Sequence, residues 1–240
     1  MSLVWLAGAG ILAVSSLVFG LTGFGIGLVS LSLLPFLIPP ATAVPLMTVY
    51  STAFALVMAI QLRRHVVWPC LFELLLGSAL GTPFGVWVLI ILSPGMLRRL
   101  IGIVLIAVVV IELRGVYPQR LTGRSWGLGA GFLSGLLGGA VGTPGPPVVL
   151  YAAAQGWQPH PLKATLQAFF VVNQAMILMG YWWTDLLTHE VMWLVVAYAL
   201  PATAGLAFGM HLFARVDHRR FRRLVFALLL ATGLTLCVRG

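Results

Sequence analysis

The sequence predicts an all-α polytopic membrane protein built from two homologous repeats. Three observations predict it. First, 60% of the 240 residues are hydrophobic and only 8% are charged, with a mean hydropathy of +1.05, whereas a soluble domain carries roughly 25% charged residues. Second, the apolar stretches 3–22, 43–62, 66–92, 97–113 and 191–214 each approach the roughly 20 residues that span a bilayer. They are continuous runs, unlike the short alternating segments of a membrane barrel. Third, the chain matches itself. Gly20-Leu-Thr-Gly-Phe-Gly-Ile-Gly27 pairs with Gly135-Leu-Leu-Gly-Gly-Ala-Val-Gly142, identical at four of eight positions.

The elements follow in order. The opening Met1-Ser-Leu-Val-Trp-Leu has no basic region and no clear small-x-small cleavage site, so it reads as a retained helix rather than a signal peptide. Each half then reads as a glycine-broken segment, re-entrant or paired, followed by three long transmembrane helices. In the first half these are about 3–38, 43–62, 66–92 and 97–114. In the second they are about 126–155, 163–183, 190–214 and 220–238. Residues 81–100 align with 205–224 without a gap: Gly81, Phe84, Gly85, Arg98, Arg99 and Leu100 fall on Gly205, Phe208, Gly209, Arg222, Arg223 and Leu224. Such self-similarity outranks local signals in choosing a fold. It divides the chain into repeats 1–115 and 125–240 joined by a cytoplasmic linker, 116–124. Glycines at 77, 81 and 85 and at 205 and 209 recur every four residues, a spacing that lets helices approach closely in lipid. Pro45, Pro69, Pro83 and Pro201 are tolerable within or at the ends of membrane helices.

Loop charge orients the chain. Arg63, Arg64 and His65 fill one first-half loop, while its second-half equivalent holds Asp185, His189 and Glu190 without Lys or Arg. Arg114, Arg120 and Arg124 mark the linker, and Arg215, Arg219, Arg220, Arg222 and Arg223 mark the loop 215–223. Basic loops are cytoplasmic, so equivalent loops face opposite sides and the repeats are expected to be inverted. Arg98 and Arg99 resist, because this topology places them outside. Parallel repeats, with a broken segment that crosses once, are the alternative. The net charge of +9 marks these loops and favours anionic lipid headgroups; without a basic patch among exposed aromatics, it does not mark nucleic-acid binding.

Paired breaks at equivalent positions are the best sequence pointer to a transport site, because a broken helix exposes backbone groups that hydrocarbon cannot satisfy. The first break supplies Gly23, Gly25 and Gly27. The second supplies Gly138, Gly139, Gly142, Thr143, Pro144 and Gly145. Glycine lets successive N–H groups turn toward one point and cradle an anion, and a half-helix beginning there adds its positive end. Gln167 and Asn173 on the helix after the second break, and Thr48, Ser51 and Thr52 on the related helix of the first half, add amide and hydroxyl donors. Helix–helix hydrogen bonding is the alternative role for these side chains. Glu73, about eight residues into its helix, is a candidate for proton coupling or for an ion pair with Arg63 or Arg64. Lys163 is a candidate for a pathway mouth or the interface, and His211 for the interface or a proton relay.

Enzyme motifs are lacking. His189-Glu-Val-Met-Trp193 has no second His for a zinc site. Ser134 in Gly131-Phe-Leu-Ser-Gly135 is misplaced for a nucleophile elbow. There is no P-loop, no metal-ligand cluster and no other sign of a cofactor. Cys70 and Cys237 form no C-x-x-C, which argues against thiol–disulfide chemistry.

Gly23-Phe-Gly-Ile-Gly27, Gly138-Gly-Ala-Val-Gly-Thr-Pro-Gly-Pro-Pro-Val-Val-Leu-Tyr151, Leu162-Lys-Ala-Thr-Leu166 and the G-x-x-F-G helices that precede an Arg pair together resemble the sulfite exporter TauE/SafE family of membrane permeases over nearly the whole chain. The resemblance implies secondary transport of sulfur-containing anions, such as sulfite, sulfoacetate or related organosulfonates, across a bacterial inner membrane. Family members often carry adjacent glycines in both breaks; here Phe24 and Ile26, and Ala140 and Val141, space them. The expected partners are a small anion and the lipid bilayer, with either a co-transported proton or the membrane potential driving export. Two other functions compete with transport: a non-transporting membrane scaffold or assembly factor and, more distantly, a lipid-modifying enzyme.

Overall fold

Hydrocarbon accepts apolar side chains but no free backbone N–H or C=O, so a chain this apolar closes its backbone bonds within helices. The computed structural model describes residues 3–114, 121, 123–212 and 218–239, and no strand occurs among them. The helices are α1 (Leu3–Thr22), α2 (Ile26–Leu33), α3 (Pro40–Leu62), α4 (Trp68–Ile91), α5 (Pro94–Arg114), α6 (Arg124–Val141), α7 (Gly145–Ala154), α8 (Pro159–Trp183), α9 (His189–Ala197), α10 (Ala199–Leu212) and α11 (His218–Arg239). Short 3-10 turns, Leu34–Phe36 and Arg63–His65, follow α2 and α3. Among the described residues, by length and composition five helices can cross a membrane, or six if the bent pair α9–α10 is one span. The protein is thus an all-α, multi-pass membrane protein. Residues 116–120 and 122 of the predicted linker lie outside the described residues, as does Arg215 of the predicted basic loop.

Both predicted breaks are present, between α1 and α2 and between α6 and α7. A third interrupts the helix expected over 190–214: α9 and α10 meet at Tyr198 with a 51° bend. Pro201 accounts for it. It has no N–H for the carbonyl of Ala197, and its ring collides with that carbonyl, so the helix restarts with the proline in its first turn. Pro45 and Pro83 lie inside helices that continue.

The chain packs as two compact units, neither of which is a sequence half. One consists of Met1–Met47, Leu92–Gly115 and Thr188–Gly240, the other of Thr48–Ile91 and Val116–Leu187. In the first unit α1 runs parallel to α10, with Gly205 and Gly209 seated on the backbone carbonyls of Ala13 and Leu17. Also in this unit, a Cβ on Gly102 of α5 would stand 2.6 Å from the Gly233 carbonyl oxygen of α11. In the second unit α4 runs parallel to α6, with Gly77, Gly81 and Gly85 seated on the carbonyls of Leu128, Phe132 and Leu136. A four-residue glycine spacing keeps one bare strip along the helix, so backbone meets backbone.

Arg98, which the loop-charge argument leaves on the wrong side, is engaged in the first unit. Its Nε donates to the Pro35 carbonyl at 3.2 Å, at the C-terminal end of the turn that follows α2. A cation there complements the helix dipole, which gives Arg98 a structural role independent of topology.

In the second unit, exposed tryptophans mark two levels. Trp68 and Trp126 open α4 and α6, while Trp87, Trp182 and Trp183 lie near the other ends of α4 and α8. Trp68 and Trp87 are nineteen residues apart on one helix, or about 28 Å. That matches a hydrocarbon core of about 30 Å edged by aromatic belts.

Candidate functional site

In the second unit the glycine break terminates α6. Gly142 has φ 62°, and its N–H donates to the Gly138 carbonyl at 2.9 Å, while the Thr143 N–H donates to the Leu137 carbonyl at 3.3 Å. This is a left-handed cap, which glycine adopts without a Cβ penalty. Pro144 cannot continue the helix, and its carbonyl accepts from the buried Ser134 hydroxyl. α7 then heads back. Tyr151 Oη and Glu73 Oε2 would lie 3.2 and 2.8 Å from a Cβ on Gly127, near the start of α6, and Gln155 Nε2 donates to the Leu121 carbonyl at 2.9 Å. The pair α6–α7 therefore enters and leaves at one end: it is a hairpin.

In the first unit Gly23 has φ 80°, and its N–H donates to the Phe19 carbonyl at 2.7 Å, the same cap as at Gly142. Thr22 Oγ1 reaches the Val18 carbonyl at 2.9 Å and the Phe24 carbonyl at 2.5 Å. Gly25, with φ 92°, leads into α2. The first amides of α2, at Ile26, Gly27 and Leu28, have no intrahelical acceptor, and all three residues are buried.

The two capping glycines are 119 residues apart, four more than the 115-residue offset of the matched glycine runs. In the capped register Gly8, Gly10, Ser15, Leu17 and Gly20 fall on Gly127, Gly129, Ser134, Leu136 and Gly139. A slip of four residues is about one helical turn and keeps the same face, which is why the shorter offset also scores.

The nest of N–H groups expected at the second break is largely occupied. Gly142 and Thr143 use their amides to cap α6, and Pro144, Pro146 and Pro147 have none. Side chains supply the donors instead. Asn173 of α8 is fully buried; its Oδ1 accepts from Ser78 Oγ of α4, and its Nδ2 would lie 3.6 Å from a Cβ on Gly138. Tyr181, also fully buried, donates to the Gly139 carbonyl at 2.7 Å, and its hydroxyl also reaches Thr48. Thr143 and Thr82 are 4% and 5% exposed. Among the described residues, Asn173 Nδ2, Thr143 Oγ1 and Thr82 Oγ1 are buried with no hydrogen-bond partner, which is expensive in an apolar interior.

The structure thus brings Gly138, Gly139, Gly142, Thr143, Asn173 and Thr48 together and adds Ser78, Thr82 and Tyr181, which sequence reasoning did not single out, and Ser134, weighed there only as a nucleophile. Ser78 and Thr82 stand one turn apart beside the glycine strip of α4, a pattern open to a helical-wheel argument. Tyr181 carried no such signal. Gln167 is buried on α8. Ser51 accepts from Gln174 Nε2 at 2.7 Å, and Thr52 bonds the Thr48 carbonyl at 2.7 Å, so both are engaged in helix structure. In the first unit Ser16 and Ser30 are buried hydroxyls without partners among the described residues, and His211 is exposed.

The charged groups lie elsewhere. Glu73 is paired with Arg124 at 3.6 Å, rather than with the expected Arg63 or Arg64. The parallel packing of α4 on α6 places the sixth residue of one helix beside the start of the other. Glu73 faces Gly127, fifteen residues from Gly142 along α6, or about 22 Å. His65 and His160 stack with centroids 5.7 Å apart, the Val67 N–H donates to Thr165 Oγ1 at 3.0 Å, and Lys163 is exposed nearby on α8. Together with Arg63 and Arg64 they form a basic rim where the hairpin opens, while the cradle is lined by neutral donors.

No curated protein and no solved structure matches the chain. The family model for the sulfite exporter TauE/SafE matches residues 6–236, both breaks included. With the match running over nearly its whole length, the chain belongs to the sulfite exporter TauE/SafE family.

Proposed function

We propose that the protein is a secondary transporter of small sulfur-containing anions, such as sulfite or organosulfonates, working by alternating access in a bacterial inner membrane. The observation that carries this reading is the set of buried donors without partners gathered at the second glycine break. An anion with several acceptor oxygens satisfies donors that the fold leaves open, and a site without a fixed cation releases its anion readily. Family membership supports the transport class. We further propose that the repeats 1–115 and 125–240 are inverted, each hairpin followed by three crossings, with the basic rim cytoplasmic. In this reading Lys163 draws anions to the pathway mouth, while Glu73 and His211 are candidates for handling an accompanying proton, a role that Glu73→Gln tests.

Flux into proteoliposomes tests the proposal. The purified protein should give saturable sulfite or sulfonate movement above protein-free vesicles. The same ligand at about a hundred times its Kd should stabilise the protein by about 2.7 kcal/mol. Thr143→Val, which removes a buried hydroxyl while keeping the shape, should lower both effects in a protein that still folds. A folded protein that neither binds nor moves any sulfur anion would turn the assignment to a membrane scaffold.

A further inference from the structure

We propose that the cradle in the second unit selects singly charged oxyanions, hydrogensulfite and sulfonates, over the dianions sulfite and sulfate, and that Thr82 is one of its direct donors. This rests on the transport reading above and refines its substrate.

Thr82 departs from the common pattern of helical hydroxyls, as Ser16 and Ser30 do in the first unit. In apolar surroundings a Ser or Thr on a helix ordinarily bonds the carbonyl four residues back. Seven hydroxyls among the described residues do so, at Ser15, Thr22, Thr52, Thr184, Thr203, Thr232 and Thr235. Thr82 is buried and makes no such bond. Its backbone lies against Gly135 and Gly139 of α6, 2.9 and 3.0 Å from where their Cβ atoms would stand. One turn earlier on the same helix, Ser78 holds Asn173 by its Oδ1 and so leaves Nδ2 toward Gly138. Three open donors therefore come from three elements: α4, the break itself and α8. A pyramidal SO3 group offers three acceptor oxygens, and a carboxylate only two.

All three donors are neutral. The desolvation cost of an ion rises with the square of its charge, whereas the return from neutral dipoles rises about linearly. A cradle without a countercharge therefore accepts a monoanion far better than a dianion of the same shape. The other titratable side chains on the surrounding elements are Cys70 and Glu73 on α4, Arg124 on α6, Tyr151 on α7 and His160 and Lys163 on α8, all toward the basic rim. On α3, Tyr50 packs on Phe54, and Tyr181 on α8 donates to Gly139. Hydrogensulfite brings its own proton, so its movement carries a proton with the sulfur and needs no carboxylate at the site.

The test is the affinity of the full-length protein for total sulfite and for methanesulfonate, from mildly acid to mildly alkaline buffer, with sulfate alongside. Hydrogensulfite dissociates near neutrality; methanesulfonate stays a monoanion throughout. The expected result is sulfite affinity that falls with rising pH in proportion to the hydrogensulfite fraction, constant methanesulfonate affinity, and no competition by sulfate. Thr82→Val should weaken methanesulfonate binding about tenfold or more, the loss of one hydrogen bond to a charged group, and Thr82→Ser should restore it. Sulfite affinity that is flat or rises with pH, or effective competition by sulfate, overturns the selection while leaving the transport reading intact. Methanesulfonate affinity that falls with pH as sulfite affinity does places the titration on the protein and also overturns it. Failure of every sulfur anion to bind removes the transport reading, and this inference with it.

Discussion

The contact between α4 and α6 predicts opposite outcomes for two glycine-to-alanine substitutions on the same helix pair. In Gly81→Ala the new methyl lands on the Phe132 carbonyl oxygen, with the carbonyl carbon at 2.9 Å and the Leu136 nitrogen at 3.1 Å. Every obstacle is backbone, so no rotamer change relieves the overlap. The helices must part, and a gap of about 0.5–1 Å forfeits roughly a quarter to a half of each dispersion contact along the seam. With an overpacking strain of about 1–3 kcal/mol, the expected loss is at the upper end of that range or beyond. In Gly129→Ala the methyl meets nothing within 4 Å. Only glycine's backbone freedom is removed, and stability should rise by about 0.5–1 kcal/mol. Reversible unfolding in mixed detergent micelles, followed by tryptophan fluorescence, measures both. A Gly81→Ala protein as stable as the parent, or a Gly129→Ala protein as damaged as Gly81→Ala, would refute the backbone-on-backbone seam.

Three further outcomes are expected. Gly142→Ala forces a Cβ into the left-handed region at φ 62° and should cost about 1–2 kcal/mol, with Gly142→Asn milder, in the same unfolding assay. Tyr181→Phe strips the donor from the buried Gly139 carbonyl and should cost about 1–3 kcal/mol of stability. Glu73→Gln breaks a pair whose arginine side chain is 89% exposed, so stability should change by no more than about 1 kcal/mol. The pH profile of flux should survive that change; its loss would make Glu73 the proton carrier.

How much was legible in advance depended on whether a feature is local. The breaks were legible because glycine and proline act on their own backbone: Gly142 can take a positive φ and Pro144 cannot continue a helix, wherever they sit. Four-residue glycine spacing marked the seams for the same reason. The bend at Tyr198 was also within reach, since Pro201 carries the signal, but a continuous apolar run hid it. A one-turn slip preserves a helical face, which is why the glycine runs match at an offset of 115 residues and the capping glycines at 119. Glu73 illustrates the other class: its partner Arg124 is 51 residues away in sequence, and only the parallel packing of α4 on α6 brings them together.

The sequence alone determined the solvent, the helical class, the two breaks and the resemblance to the family, because hydropathy, glycine freedom and proline geometry belong to single residues and short runs. Only the tertiary structure decided that α6–α7 turns back on itself, that the amides of the glycine run are largely used in capping α6, and that Thr82, Thr143 and Asn173 are left as open donors. Satisfaction of a buried polar group is a property of its neighbours, and those neighbours come from helices that the chain itself keeps far apart.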